Sequence, residues 1–330
     1  MKLLELHFYE FAPTFKHKIQ TPKVTMTSRK TLFVGITDDT GKEWFGECNA
    51  FETDWYHFET IASVKKVLSQ WFEAVKGQNV NCFTDAQALV EPLNNTPAAR
   101  ATVMMALYQM FHDLPSFEVP MTITVNGDMQ HRLVRLDHAA RIKIKWNCNI
   151  VEQVKMLAVM YPDVPITTDA NQTLCVHDLP LLHALAKYRL AYIEEPFPTL
   201  TEAQNVEDLP PIAIDEQATD EKTIMQAVEN HGVKVVVIKP FRVGGIDRAL
   251  TLIERIQARG VTVVVGGMYE CGLSRYFTAL TSRYGDYAGD VTPEGYYFAE
   301  DVVERAGQLK QGKLLFEPPV IKPRVLRRYS

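Results

Sequence analysis

Five charged residues punctuate the second half of this 330-residue chain at near-even steps: Lys145, Asp169, Glu194, Asp215 and Lys239 stand 24, 25, 21 and 24 residues apart. Each closes a short, largely apolar run, as in Tyr192-Ile-Glu194, Ile212-Ala-Ile-Asp215 and Val235-Val-Val-Ile-Lys239. Such a step is the length of one strand plus its crossover helix, so the spacing predicts that the five side chains meet at one end of a set of parallel strands. Asp169, Glu194 and Asp215, with no histidine or cysteine at ligand spacing, make a hard, oxygen-only set whose natural occupant is Mg²⁺; zinc is disfavoured. The competing explanation for any single acid is a helix N-cap, because a strand-to-helix loop often ends in aspartate. Three in series at the ends of buried strands are harder to explain that way, since an uncompensated buried charge is costly.

Lys143 and Lys145 are two apart in a strand-like run and therefore point to one face. If that face is the barrel mouth, Lys145 lies nearer its open end, beside the metal and Lys143, and positive neighbours make an ammonium give up its proton more readily. A lysine so placed can act as a base. The alternative is an exposed edge strand displaying two solvated lysines. Lys239, on the sixth strand of eight, would face Lys145 across the ring. Two amines flanking a metal-bound carboxylate suit removal of the weakly acidic proton α to a carboxylate, with Mg²⁺ stabilising the charge that develops. A lysine at strand six could instead form an imine, as in a Schiff-base aldolase, and a non-catalytic barrel serving as a binding module is the third possibility.

The elements that must position these residues are legible from about Met121 onward. Strand-like runs at Met121–Val125, Arg141–Trp146, Pro165–Asp169, Ala191–Glu195, Ile212–Glu216, Val235–Lys239 and Val261–Gly266 alternate with helical stretches at Val151–Met160, Leu179–Tyr188, Glu221–Asn230 and Ile246–Arg259. A doubly wound sheet would alternate in the same way, but the first strand lacks a Gly-x-Gly-x-x-Gly turn and polar strand ends recur throughout the series. A closed barrel accounts for that better, with an eighth, weakly signalled strand near Gly285–Val291. The first hundred residues read as a small α+β unit, with strands at Leu3–Tyr9, Thr31–Thr37 and Glu43–Gly46 and helices at Thr60–Ala74 and Asp85–Val90. Thr96-Pro97 then opens a helix carrying Val103, Ala106, Leu107, Met110 and Phe111 at helical spacing.

Forty acidic against 35 basic residues give a formal charge of −5, which argues against affinity for nucleic acid. The basic cluster at Arg324–Arg328 lacks interleaved aromatics and reads as a solvated tail. Five cysteines without a Cys-x-x-Cys pair read as reduced thiols of a cytoplasmic protein. Neither a signal peptide nor an apolar run of membrane-spanning length is visible, so no membrane partner is expected.

As an ordered set, Lys143-Ile-Lys145, Asp169-Ala-Asn171, Glu194-Glu-Pro196, Asp215-Glu216, Lys239-Pro-Phe-Arg-Val-Gly-Gly245 and Gly266-Gly-Met-Tyr-Glu-Cys-Gly-Leu-Ser-Arg275 resemble the enolase superfamily in its muconate-lactonizing-like branch. Within that branch they are similar to the o-succinylbenzoate synthases of menaquinone biosynthesis, of the Gram-positive type, as are Gly46–Trp55 and Gly289–Pro293. The resemblance implies an α/β fold, a modified TIM barrel (β/α)7β spanning 101–299. It also implies an α+β capping domain built from 1–100 and a C-terminal tail of about 300–330. Carried over, Asp169, Glu194 and Asp215 bind Mg²⁺. Lys145 takes the α-proton of 2-succinyl-6-hydroxy-2,4-cyclohexadiene-1-carboxylate and then, as acid, assists departure of the hydroxyl. Lys239 stabilises the enediolate intermediate. Lys143, Asn171, Arg29, Glu216, Gly267, Met268 and Glu270 are expected to support or contact the small carboxylate substrate, with cap loops Gln20–Arg29 and Glu47–Trp55 excluding water. Arg242 and the Gly-Gly-Met segment look equally like relatives that racemise N-succinylamino acids, which would use Lys145 and Lys239 as opposed bases.

Overall fold

A computed structural model of the chain describes residues 1–21, 23–125, 136, 138–203 and 206–329. The first elements are β1 (Leu3–Phe11), β2 (Thr14–Gln20), β3 (Thr25–Ser28), β4 (Thr31–Asp38) and β5 (Glu43–Glu47), followed by α1 (Ile61–Val75), α2 (Phe83–Leu89) and α3 (Pro97–Phe111). Strands β1, β4 and β5 form an antiparallel sheet whose inner face, including Leu3, Leu32, Val34 and Ile36, packs on apolar residues of the three helices. Thr60 starts α1 through a reciprocal capping box with Ser63. Strands β2 and β3 pair as a two-stranded hairpin that Phe15 and Lys16 tie to Phe298 and Tyr297, so the stretch expected as a loop at Gln20–Arg29 is largely hairpin; Pro22 lies outside the described residues.

After β6 (Phe117–Pro120) the barrel strands follow: β7 (Thr122–Val125), β8 (Arg141–Lys145), β9 (Ile166–Asp169), β10 (Tyr192–Glu194), β11 (Ile212–Ile214), β12 (Val235–Ile238) and β13 (Thr262–Val265). They pair in parallel, in chain order, as a seven-stranded sheet. Between them lie α4 (Ile150–Met160), α5 (Leu179–Ala186), α6 (Glu221–His231) and α7 (Ile246–Gln257), and α8 (Gly272–Ser282) follows β13. Val235-Val-Val-Ile238 is buried along its whole length, as expected of a β-branched parallel strand covered on both faces. Helix α6 shows its limits locally: Asp220 accepts from the Thr223 amide at 2.9 Å, and Gly232 ends the helix at φ +63°.

The eighth position is filled without a regular strand. Amides of Asp286 and Asp290 donate to Val263 and Val265 on β13, Gly266 and Asp290 form an isolated parallel bridge, and Thr122 and Arg141 on the other side donate to the Ala288 carbonyl. The expected strand near Gly285–Val291 is thus present in place but held by few main-chain bonds. The chain then leaves the barrel ring. Strands β14 (Ala306–Lys310) and β15 (Lys313–Phe316) join β6, and β16 (Arg327–Arg328) pairs with β1. The basic cluster read as a solvated tail is therefore tied by its backbone to the first strand, although both arginine side chains are exposed.

Candidate active site

Parallel register sets out the site before any side chain is considered. Lys145 on β8 is the pairing partner of Asp169 on β9, and Asp169 is the partner of Glu194 on β10. Asp215 and Lys239 each stand one residue beyond the ends of β11 and β12. Lys145 and Lys239 are four strands apart in an eight-place ring, on opposite sides. Strand β8 is flanked by β7 and β9 and so is not an edge. Nor do the acids start helices: the residues before α5 and α6 are Asp178 and Asp220.

The buried acids are paired with amines. Lys143 Nζ lies 2.8 Å from both oxygens of Glu194, 3.0 Å from Asp169 Oδ2 and 3.1 Å from Asp290 Oδ2. Lys145 Nζ donates to the same Asp169 Oδ2 at 2.5 Å and to Asn171 Oδ1 at 3.0 Å. Across the ring, Lys239 Nζ reaches Asp215 Oδ2 at 2.7 Å and Arg242 reaches Oδ1 at 2.9 Å. Among the described residues no three His, Cys, Asp or Glu side chains are gathered about a common point as metal ligands; cationic side chains lie against these acids instead. The donor chemistry of Asp169, Glu194 and Asp215 nevertheless suits a hard cation: six carboxylate oxygens on three adjacent strands, with no nitrogen or sulfur ligand among them.

Burial works against every charge here and the partners decide the outcome. Burial would raise Asp169, but Lys143 and Lys145 hold its carboxyl well below the usual range. Asp215 is likewise opposed by burial, and Lys239 and Arg242 bring it down to about 2. Glu194 goes up: burial, with the charges of Asp169 and Asp215, outweighs Lys143. Burial disfavours the ammonium of Lys143, yet Asp169, Asp290 and Glu194 raise it well above the ordinary lysine value, so it is a fixed cation. Of the three lysine side chains, Lys145 is 35% exposed against 8% for Lys143 and 7% for Lys239, which makes it the amine a ligand can reach.

The supporting residues fall in different places. Asn171, at φ +45°, joins Lys145 to Glu216 through its two amide atoms. Glu195, also at φ +45°, folds back to accept from the amides of Asp215 and Gln217, both at 2.7 Å, and so fixes the turn that carries Asp215. Non-glycine residues in the left-handed region at strand ends are strained, and such strain gathers at sites. Arg29 is buried, 4.1 Å over the Phe51 ring, with donors to the carbonyls of Lys30 and Asn49. Met268 packs with Phe51, Ala101 and Phe241 beneath the cap. Glu270 is turned to Ser274 and Thr278, and a side chain at Gly267 would stand 2.6 Å from its Oε2. At Gly266 a side chain would meet Val237 at 3.0 Å and Lys239 at 3.1 Å, so protein side chains crowd both glycines. Glu47, expected in a water-excluding loop, instead accepts from the amides of Cys271 and Ser274 at the start of α8.

Sequence reasoning missed three partners. Arg141 and Asp290 pair inside the barrel, with Asp290 bridging Arg141 and Lys143. Tyr56, one residue beyond the expected cap loop Glu47–Trp55, accepts hydrogen bonds from Lys239 and Arg242. Arg141 was legible as a charge at the buried start of a strand and Asp290 stood within the Gly289–Pro293 resemblance, whereas Tyr56 offered no local signal.

The site thus lies in an eight-place α/β barrel with acids and opposed lysines at its mouth, accompanied by an α+β cap. The chain belongs to the enolase superfamily: residues 128–317 match the family model described as Enolase C-terminal domain-like. It is 28% identical to an o-succinylbenzoate synthase of Enterococcus faecalis, covering 90% of this chain and 89% of that one. It is 25% identical to an N-succinylamino acid racemase of Thermus thermophilus, covering 90% and 87%. A solved structure of an enolase superfamily member from Listeria innocua superposes with a TM-score of 0.87 at 22% identity, covering 100% of this chain and 98% of that one. The modified TIM barrel with a capping domain is thus the fold. No helix among the described residues is long and apolar enough to cross a membrane.

Proposed function

We propose that the protein is an o-succinylbenzoate synthase, dehydrating 2-succinyl-6-hydroxy-2,4-cyclohexadiene-1-carboxylate to 2-succinylbenzoate. The observation that carries this reading is the accessible amine of Lys145 on one side of the acid layer and the buried amine of Lys239 on the other. Asp169, Glu194 and Asp215 would hold Mg²⁺, which when bound supplies Lewis-acid stabilisation of a carboxylate gaining negative charge. Lys145 Nζ takes the proton from the carbon next to the carboxylate, and Lys239 holds its positive charge against the enediolate that forms. Lys145 then returns its proton to the departing hydroxyl. One C–H and one C–O bond break, a C=C bond forms, water leaves and the ring becomes aromatic. Lys143, pinned by three acids, stays a cation and positions Asp169 and Glu194. The cap excludes water above the mouth.

A second reading, racemisation of N-succinylamino acids, is favoured by Arg242, which stands beside Lys239, and by the similarity to the Thermus racemase. It would use both lysines as bases. Steady-state kinetics on both substrates, with Mg²⁺ and after EDTA treatment, tests the proposal. Mg²⁺-dependent dehydration with a kcat/KM above that for racemisation is expected; dehydration absent or unaffected by EDTA refutes it.

A further inference from the structure

Tyr56 lies in the cap segment between β5 and α1, which is folded back on itself by a bridge between Phe51 and Thr60 and by the Ile61 amide donating to the Phe51 carbonyl at 2.8 Å. Its ring packs between cap and barrel, with centroids 5.4 Å from Trp55 and 6.1 Å from Phe241. The hydroxyl oxygen accepts from Lys239 Nζ at 2.9 Å and from Arg242 at 2.7 Å, which uses both of its lone pairs. The same two cations hold the two oxygens of Asp215. Tyr56, Lys239, Asp215 and Arg242 therefore form a closed ring of hydrogen bonds in which each cation bridges the phenol and the carboxylate.

We propose that Tyr56 is a positioning residue for Lys239, contributed by the cap, which fixes the ammonium of that lysine over the mouth. This rests on the proposed role of Lys239 in stabilising the developing anion. A lysine ammonium sits on a flexible four-carbon stem and is placed only as well as its acceptors hold it. Asp215 gives one acceptor from the barrel and Tyr56 the second from the cap, so seating of the cap loop and placement of the amine become one event. Preorganised charge of this kind stabilises a transition state without reorganisation at the moment of reaction. Tyr56 acts through Lys239 and has no step of its own.

The test is Tyr56→Phe, which keeps the ring and removes the oxygen. The expected result is a kcat for dehydration lowered about tenfold, with KM changed less than about twofold and the melting temperature retained. A second readout does not depend on activity: reductive methylation of lysines with formaldehyde and cyanoborohydride, followed by peptide mass spectrometry. Lys239 should be methylated several-fold faster in Tyr56→Phe than in the wild type while Lys145 is unchanged. Unchanged Lys239 methylation, or equal acceleration at Lys145, overturns the proposal. If wild-type protein lacks dehydration activity but the Lys239-selective change in methylation is seen, the functional reading fails and the positioning role stands.

Discussion

Replacing Arg100 by methionine tests how firmly the cap is joined to the barrel. Arg100 leaves α3, which packs on the N-terminal sheet, and meets Asp247 in the first turn of α7, each nitrogen 2.9 Å from one carboxylate oxygen, with both side chains 4% exposed. It also donates to the Gly244 carbonyl, two residues after Arg242. The substitution keeps much of the volume and leaves Asp247 buried with Gln87 as its remaining side-chain donor. Removing one partner of a buried ion pair costs about 3–5 kcal/mol. With an unfolding entropy of roughly 2.1 cal/mol/K per residue over a chain of this length, that corresponds to a drop in Tm of about 4–7 °C if cap and barrel melt together. Adding Asp247→Leu removes the stranded carboxylate and should recover most of the loss. Burial opposes ionisation of Asp247, but Arg100 holds its carboxyl below the usual range, so the pair's contribution is present at neutral pH and is lost as pH falls through the folded value. Differential scanning calorimetry of wild type, both single variants and the double variant measures this. A shift under about 1 °C for Arg100→Met, or a double variant less stable than either single one, refutes the reasoning.

Lys145→Ala should lower dehydration turnover by about 10²- to 10⁴-fold while circular dichroism shows an unchanged fold; near-normal turnover removes the base assignment. Asp215→Asn should weaken Mg²⁺ binding measured by titration calorimetry, and unchanged affinity counts against the ligand set. Burial, with Glu270 and Asp301 nearby, pushes Glu47 up to about 8 despite the two amides that donate to it. The folded state therefore holds a proton that the unfolded chain releases at an ordinary glutamate pH, so stability should decline as pH rises from about 5 to about 8. That slope, followed by thermal melts, should be shallower in Glu47→Gln; an identical slope would show that Glu47 is ionised in the folded protein.

The barrel was legible because β8 to β12 are mostly buried and each ends on, or is followed at once by, a charged residue at the mouth, giving apolar runs with a charged full stop. Helix α8 was not: every residue from Gly272 to Ser282 is buried, the polar Ser274, Arg275, Thr278 and Thr281 included, so its polar side chains do not mark a solvent face as they do on a surface helix. The eighth position gave a weak signal for a related reason: Gly285, Gly289 and Asp290 have poor strand propensity and are placed by neighbours rather than by their own preference. Lysines and acids of the site could be listed from spacing, but spacing says nothing of who holds whom. That Asp290 lies against Lys143, or Tyr56 against Lys239, depends on segments 147 and 183 residues apart meeting in space.

The seam between β13 and β7 gives Asp290 two duties. Its amide donates to Val265 and helps close the ring, while its carboxylate crosses inward to Arg141 and Lys143. Chemistry and architecture are thereby knotted at the thinnest stretch of the wall. A substitution there that retunes the electrostatics of the interior also loosens the stave that keeps the cylinder shut, so variation at this position is constrained from two directions at once.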